Sequence, residues 1–176
     1  MLDEAYPAQY ESRTKLRDGR EVFFRPIRKT DGDLLLDLLS KLSFESVRLR
    51  FMMPLRTLSN DKLIQLTHVN YNTEFALVAV IPEDGKDAII AVGRYAFEPQ
   101  FNATDFAVVV RDDWQNNGLG RFLLGKIFQI GKEHGISRFV GMIDPDNKVM
   151  KKILFELGHT VKSSFKNGTH EFEVLV

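Results

Sequence analysis

Residues 108–121 read VVVRDDWQNNGLGR, and this segment decides how the rest of the sequence is interpreted. Three valines typical of a β-strand run into a polar turn, after which Gly118 and Gly120 open an amphipathic stretch that extends to Glu133. Glycine lets backbone N–H groups approach an anion closely, and a helix N-terminus adds about half a positive charge. The segment therefore predicts a strand–loop–helix unit that cradles a diphosphate. The alternative is an ordinary connection whose glycines only ease the turn.

Two better-known phosphate motifs fit this segment less well. A P-loop requires Gly-Lys-Ser/Thr, which the sequence lacks here. A dinucleotide fingerprint requires a third small residue, where Leu123 stands, and a carboxylate after the next strand, where Asp144 is flanked by Pro145. Arg121 could add a fixed positive charge to a cradle of another type.

The remaining sequence alternates between helical and strand periodicity. Asp18-Gly19 separates two strand-like runs and predicts a hairpin. Apolar residues at helical spacing predict three helices between residues 30 and 67. Beyond them, the pattern predicts three strands as an antiparallel meander, the first broken by Pro82, then a helix, a strand, a helix and two strands. The ranges in that order are 75–81, 89–97, 106–110, 118–133, 138–143, 147–157, 159–164 and 171–176. This order predicts one α+β domain over residues 1–176 with a mixed sheet.

The composition narrows the classes of function. Lys+Arg and Asp+Glu are both 24, so the net charge gives no support for binding to nucleic acid or membranes. The absence of cysteine argues against a disulfide scaffold, a cysteine-ligated metal and an acyl-cysteine intermediate. No two of the four histidines have i,i+4 ligand spacing, and no metal site is expected. Because no signal peptide or apolar run of about 20 residues is present, a cytoplasmic location is expected.

The pattern Gln115-x-x-Gly118-x-Gly120 resembles the Gln/Arg-x-x-Gly-x-Gly/Ala motif of GNAT N-acetyltransferases. The resemblance covers roughly residues 20–165 and implies the GNAT fold, a mixed and mostly antiparallel sheet flanked by helices, with acetyl-CoA as co-substrate. Further landmarks occur in the family's order, namely its opening strand and helix at 25–31, its central strand at 89–95 and its late helix at 147–158.

Within the family, the chain looks most like the acetyltransferase domain of bacterial Pat-type protein lysine acetyltransferases. The segments that carry this likeness are 43–51, 58–59, 71–79 and 105–115. In that group the domain often adjoins an acyl-CoA-synthetase-like or regulatory region. The chain is accordingly interpreted as either a stand-alone enzyme or a domain that is fused to, or associates with, such a region.

The resemblance assigns coenzyme binding chiefly to the main chain. Amides and carbonyls of Val108 and Val110 would pair with the pantetheine arm like an extra strand, and the Val108 amide could stabilise an oxyanion. Asn147 would contact the coenzyme, with helix N-capping as its alternative or additional role. The predicted coenzyme-binding residues are Val108, Val109, Val110, Gln115, Asn116, Asn117, Gly118, Leu119, Gly120, Arg121 and Asn147.

Two carboxylates are candidate catalytic residues. Asp105 occupies the position where the Pat-type group has a glutamate base, and its shorter side chain could reach an amine through a water. The alternative is a solvated residue at the start of a strand. Glu74 is the second candidate, with a surface carboxylate as its alternative. Leu154 stands where many GNAT enzymes have a tyrosine acid, so the thiolate would leave unassisted.

The sequence thus supports three hypotheses of function. The first is acetyl transfer from acetyl-CoA to a protein lysine by direct attack in a ternary complex. The second keeps the reaction but replaces the acceptor with a small-molecule amine. The third is a coenzyme-binding sensor or interaction module with little turnover, motivated by the residues at positions 105 and 154.

Overall fold

A computed structural model describes residues 5–53, 55, 57–99 and 102–176. Its elements confirm the predicted order of strands and helices. They are β1 (Ser12–Lys15), β2 (Glu21–Pro26), α1 (Gly32–Ser40), α2 (Phe44–Phe51), α3 (Asn60–Thr67), β3 (Glu74–Glu83), β4 (Lys86–Glu98), β5 (Ala103–Val110), α4 (Leu119–Glu133), β6 (Arg138–Ile143), α5 (Lys148–Glu156), β7 (Thr160–Lys166) and β8 (Thr169–Leu175).

The described strands form one sheet in the order β1-β2-β3-β4-β5-β6-β8-β7. Every neighbouring pair is antiparallel except β5 and β6, which α4 connects and which run parallel. The predicted mixed, mostly antiparallel sheet flanked by helices is therefore confirmed. None of the described helices has the length and apolar character that crossing a membrane requires.

Helices cover the two faces of the sheet with separate hydrophobic cores. Along β3, Phe75 and Leu77 face the core beneath α4, whereas Ala76 and Val78 face the core beneath α1 and α3. A strand buried on both faces reads as an unbroken apolar run, which explains its sequence pattern. The cores position the connections between strands and helices, where the polar residues of the site lie.

One prediction within β3 is wrong. Pro82 does not break the strand, which continues to Glu83 and pairs with β4 through Pro82↔Asp87. Proline fits at this position because Pro82 is exposed and lies near the end of the hairpin, where one missing N–H donor is readily tolerated.

A buried ion pair connects β2 to α1. Asp31 accepts two hydrogen bonds from Arg25 at 2.7 and 2.8 Å and a third from the backbone N–H of Arg28 at 2.7 Å. Both side chains of the ion pair are almost fully buried, and the bidentate geometry offsets part of the cost of their desolvation. Asp31 therefore ties the strand to the turn that starts α1.

Candidate functional site

The strands β5 and β6 pair at only two positions, Thr104↔Phe139 and Asp105↔Val140. Since β5 continues to Val110 and β6 to Ile143, the two strands separate beyond Asp105. The separation opens a cleft that is continuous with a cavity of about 800 Å³ on the side of α2.

The backbone of β5 presents hydrogen-bonding groups to this cleft. The N–H of Arg111 donates to Ile90 O of β4 at 2.8 Å, and the direction of backbone groups alternates along a strand. The polar groups of Val108 and Val110 therefore point away from β4 and into the cleft. Those of Val109 point to β4, opposite Val92. The predicted pantetheine contacts are geometrically available at the backbone of Val108 and at the N–H of Val110, whereas the Val110 carbonyl already accepts a hydrogen bond from Gln115. The predicted contact at Val109 is not available in this arrangement, since its backbone faces β4 and its side chain packs against the core beneath α1 and α3.

The loop between β5 and α4 has the conformation of an anion-binding turn. Asn116 and Gly118 adopt left-handed backbone conformations, with φ of +62° and +90°. Gly118 is the N-cap of α4 and offers no capping side chain, while Asn117 Oδ1 accepts a hydrogen bond from the N–H of Leu119 at 3.2 Å. The next amides of the first turn, at Gly120 and Arg121, are thus left without a side-chain acceptor among the described residues. Free amides at a helix N-terminus fit a diphosphate.

Gln115, a predicted coenzyme-binding residue, directs its side chain back into the protein. Its Nε2 donates to Val110 O at 2.9 Å and to Ser46 Oγ at 3.1 Å. The side-chain nitrogen therefore braces the end of β5 against α2.

Asp112 fixes the start of α2 to the same loop, a contact that sequence reasoning missed. Its carboxylate accepts hydrogen bonds from Ser43 N at 2.9 Å, Ser43 Oγ at 2.6 Å and Ser46 Oγ at 2.9 Å. Burial alone would raise the pKa of Asp112, but these hydrogen bonds outweigh it and the pKa is lowered. Asp112 therefore stays ionised and holds α2 over one side of the cleft.

Arg48 fixes α2 to the other side of the cleft. Its guanidinium bonds Asp144 at 2.7 Å, in the loop between β6 and α5, and Glu45 at 2.9 Å. Because Asp112 follows β5 and Asp144 follows β6, α2 bridges the two strands that separate. No sequence pattern indicated this bridge, since its partners are about 70 and 100 residues apart.

Asp105 lies in the wall of the cavity, at the last paired position before the strands separate. Burial raises the pKa of Asp105 above its usual range, and the nearby Glu98 adds to this increase. The Phe106 backbone, Arg50 and Arg94 oppose it. A half-buried carboxylate of this kind is a reasonable proton acceptor because its raised pKa makes it a stronger base than a solvated aspartate.

Arg50 of α2 is the residue at this wall that sequence reasoning overlooked. It lines the cavity together with Asp105 and is half-buried. Desolvation, reinforced by the like charge of Arg94, lowers the pKa of Arg50 to about 10, with Asp105 acting in the opposite direction. The wall thus combines cationic and anionic groups from α2, β4 and β5.

Glu74 lies on the same sheet face as Asp105 but outside the cavity lining. The register Glu74↔Ala96↔Asp105 separates the two carboxylates by two strand spacings, roughly 10 Å. Between them, Arg94 forms an ion pair with Glu74 at 3.6 Å. The Glu74 carboxylate therefore interacts with the charge of Arg94. This arrangement favours that ion pair over direct contact between Glu74 and a substrate in the cavity.

The N-cap residue of α5, Asn147, has a structural role and also faces the cavity. Asn147 lines the cavity, and its Oδ1 accepts a hydrogen bond from Met150 N at 3.0 Å, so the N-cap role is present. Leu154 is fully buried and supplies no group to the cleft. The coenzyme contact of Asn147 stays a prediction.

Comparison with known proteins identifies the architecture. Residues 43–156 match the Acetyltransferase (GNAT) family. The chain belongs to the GNAT family. The chain is therefore a GNAT acetyltransferase, and the cleft between β5 and β6, with a helix N-terminus at one end, is its candidate site.

Three relatives illustrate the similarity of this GNAT chain. Acetyltransferase PA5475 of Pseudomonas aeruginosa is 28% identical over 143 residues, which are 81% of this chain and 77% of that protein. Acetyltransferase Pat of Mycolicibacterium smegmatis is 32% identical over 146 residues, which are 82% of this chain and 43% of Pat. The crystal structure of the GNAT domain of S. lividans PAT superposes with a TM-score of 0.87 at 30% identity, covering 97% of this chain and 99% of that domain. The predicted likeness to Pat-type acetyltransferases is confirmed.

Proposed function

We propose that this GNAT enzyme transfers the acetyl group of acetyl-CoA to the side-chain amine of a protein lysine, by direct attack while both substrates are bound. The position of Asp105 carries the proposal. This carboxylate lies between the cleft of free backbone groups and the open cavity beneath α2. The similarity to Pat-type acetyltransferases supports a protein as the acceptor.

The donor half of the proposal rests on the main chain. Acetyl-CoA would supply the electrophilic thioester. The free amides at the start of α4 would hold its pyrophosphate, and the cleft-facing groups of Val108 and Val110 would align its extended arm as a strand is aligned. The Val108 N–H then lies where it can stabilise negative charge on the carbonyl oxygen.

The acceptor half rests on side chains. A lysine amine with a pKa near 10.4 is only about 0.1% neutral or less at pH 7, so the reaction needs a group that removes its proton. Asp105 would accept that proton, directly or through a water. The positive charges of Arg50 and Arg94 disfavour an ammonium ion beside them, which promotes the neutral form of the lysine amine in the cavity.

Direct transfer fits the residues that this sequence contains. With no cysteine, no thiol of this chain can carry the acetyl group. With Leu154 on the late helix, that position offers no hydroxyl to protonate the leaving thiolate. A thiolate whose conjugate acid has a pKa near 8.5 leaves readily without one.

Turnover with matched acceptors tests the proposal. The purified protein is incubated with acetyl-CoA and a lysine-bearing protein, while thiol release is followed and acetyl-lysine is mapped by mass spectrometry. We expect turnover that disappears when the acceptor's lysines are dimethylated. Turnover of polyamines or amino sugars without turnover of proteins would replace the acceptor with a small amine. Coenzyme binding without turnover of any amine would leave a binding module.

A further inference from the structure

Arg50 lies in the wall of the large cavity as a cation without an ionic partner. It is half-buried, and its guanidinium carbon lies 4.9 Å from the centre of the Phe51 ring. Among the residues that the structure describes, no group forms a hydrogen bond or an ion pair with the Arg50 side chain. An aromatic ring attracts a guanidinium through its face and leaves the N–H donors unsatisfied. These donors are therefore available to a ligand in the cavity.

The charges nearest to Arg50 compensate its own charge only in part. Asp105 attracts the guanidinium, but it forms neither a hydrogen bond nor an ion pair with it, and the like charge of Arg94 acts in the opposite direction. Arg94 has its own partner, since it pairs with Glu74 at 3.6 Å. Withdrawing a guanidinium from water without a full counter-charge is costly, so an anion bound beside Arg50 would be stabilising.

The other charged side chains of the cavity leave no net charge elsewhere in its lining. Two ion pairs lie on the strands opposite α2, Arg138 with Glu173 at 3.8 Å and Lys166 with Glu171 at 3.5 Å. The two remaining charged residues of the lining, apart from Arg50 and Asp105, are Glu98 and Lys162, which have opposite signs. A general field does not favour an anion here, and recognition of a carboxylate would be local to Arg50.

The attachments of α2 hold Arg50 in place. At the start of the helix, Ser43 Oγ donates to Asp112 at 2.6 Å, and farther along Arg48 bonds Asp144 at 2.7 Å. Arg50 follows Arg48 by two residues, so its backbone is fixed relative to both strands of the cleft. A guanidinium is a planar fork whose N–H groups match the two oxygens of a carboxylate, and a fixed backbone lowers the cost of using it.

We propose that Arg50 binds a carboxylate of the acceptor, and that the preferred protein lysine has an aspartate or a glutamate next to it in the sequence. The inference rests on the proposed function, because the lysine amine must reach Asp105. Adjacent residues extend from one short stretch of backbone, so the side chains of both can enter the same cavity. The lysine amine would then lie beside Asp105, while the neighbouring carboxylate accepts charge-assisted hydrogen bonds from Arg50.

Acetylation of two short peptides with blocked termini tests this assignment. One peptide has aspartate on both sides of a single lysine, and the other has asparagine at the same positions. We expect the KM of the aspartate peptide to be about tenfold lower, as one charged hydrogen bond predicts. Arg50→Gln should raise the KM of the aspartate peptide about tenfold and leave that of the asparagine peptide unchanged. The kinetics are measured at a pH above the acidic limb, where an altered pKa of Asp105 has no effect.

Lys162→Gln is the matched control, because it removes an exposed cation from the lining of the same cavity. It should preserve the preference for the aspartate peptide. Nα-acetyl-lysine, which has a free α-carboxylate, provides a third acceptor. If it reacts in preference to both peptides, the carboxylate that Arg50 binds is that of a free amino acid, and the assignment to a flanking residue is overturned.

The remaining outcomes separate this inference from the proposed function. If the unaltered enzyme uses both peptides equally, or if Lys162→Gln removes the preference as fully as Arg50→Gln does, the role of Arg50 is wrong while transfer to lysine stands. If lysine-bearing proteins react and neither peptide does, a flanking acid does not define the acceptor, and the inference is again overturned. If no lysine reacts in any acceptor, the proposed function fails and this inference fails with it.

Discussion

The two sides of the cleft present different kinds of chemical group. The donor side consists of main-chain groups, namely the cleft-facing edge of β5 at Val108 and Val110 and the uncapped amides at the start of α4. The acceptor side consists of side chains, of which Arg50, Arg94 and Asp105 come from three different elements. The positions of main-chain groups depend on backbone conformation, so most side-chain substitutions leave these groups in place. Each side chain on the acceptor side, in contrast, contributes a specific charge that a substitution removes. We expect mutations on the two sides to affect different quantities, coenzyme affinity on one and chemistry on the other.

The largest expected effect is on the acceptor side. Asp105→Asn removes the proposed proton acceptor and should lower kcat about 100-fold, the lower end of the range for general base catalysis. The dissociation constant of coenzyme A should change little, because Asp105 lies outside the cradle. Steady-state kinetics and calorimetry on the same protein measure both quantities.

Asp61→Asn is a suitable control, since it removes an exposed carboxylate from the first turn of α3. It should leave kcat and coenzyme affinity unchanged. An Asp105→Asn enzyme with full activity across the pH range would rule out Asp105 as the base.

The second effect is on the donor side. Gly118 has a φ of +90°, a conformation that costs a residue with a Cβ about 1–2 kcal/mol, and valine more because it is β-branched. Gly118→Val should therefore reshape the cradle and weaken coenzyme A about tenfold or more. At saturating coenzyme, kcat should fall much less. Calorimetry with coenzyme A, beside kinetics at high acetyl-CoA, checks both statements.

Gly135→Val provides the matched control for that strain. Gly135 follows α4 at its opposite end with a φ of +82°, and a Cβ there would meet open space. Its substitution should lower the melting temperature by a similar amount but leave coenzyme affinity intact. Equal losses of affinity in the two variants would show that general destabilisation, and not the cradle, governs binding.

The same contrast explains what the sequence alone could predict. The donor side lies within residues 108–121, where strand propensity, two glycines and a helix start follow one another, so the cradle is readable as a local pattern. The acceptor wall joins Arg50 to Glu98 and Asp105 across more than 40 residues of chain. Only the packing of α2 on β5 brings Arg50 there, and no spacing rule encodes that packing. The bridge made by Ser43, Arg48 and their partners was missed for the same reason.

A smaller effect is expected from Arg50. Its positive charge opposes the rise in the pKa of Asp105, as does that of Arg94, whereas Glu98 promotes it. Arg50→Gln should therefore raise the pKa of Asp105 further. Because a base works only above its pKa, the acidic limb of the pH profile of kcat/KM should move to higher pH. On the acidic side of the profile we expect a loss of a few fold.

Arg50→Lys tests whether charge is the cause, since it retains the positive charge and should keep most of the original profile. Coenzyme affinity should be unchanged in both variants. A uniform loss of activity at every pH, with the acidic limb unmoved, would mean that Arg50 acts through the packing of α2 and not through Asp105.

The smallest effect marks where the contrast between the two sides breaks down, because side chains also hold the main-chain cradle in place. Arg111, between β5 and the cradle, bonds Glu83 of β3 at 2.7 Å and Asp113 at 2.7 Å. Hydrogen bonds from Arg111 and then Lys41 lower the pKa of Glu83 to about 2. A carboxylate with a lowered pKa contributes its stability above its unfolded value, near 4.5, and loses that contribution as the pH falls toward 2.

Glu83→Gln should therefore lower the melting temperature at neutral pH, and the difference from the unaltered protein should narrow as the pH falls from about 4.5 to about 2. Lys41→Gln, which removes the exposed partner of Glu83 and leaves Arg111 in place, should produce a smaller version of the same trend. Thermal melts at a series of pH values measure both. A difference that stays constant down to the lowest pH would mean that the ion pair adds no stability to the fold. The cradle would then depend on the hydrogen bonds of its own backbone, and the division between main-chain and side-chain walls would hold without exception.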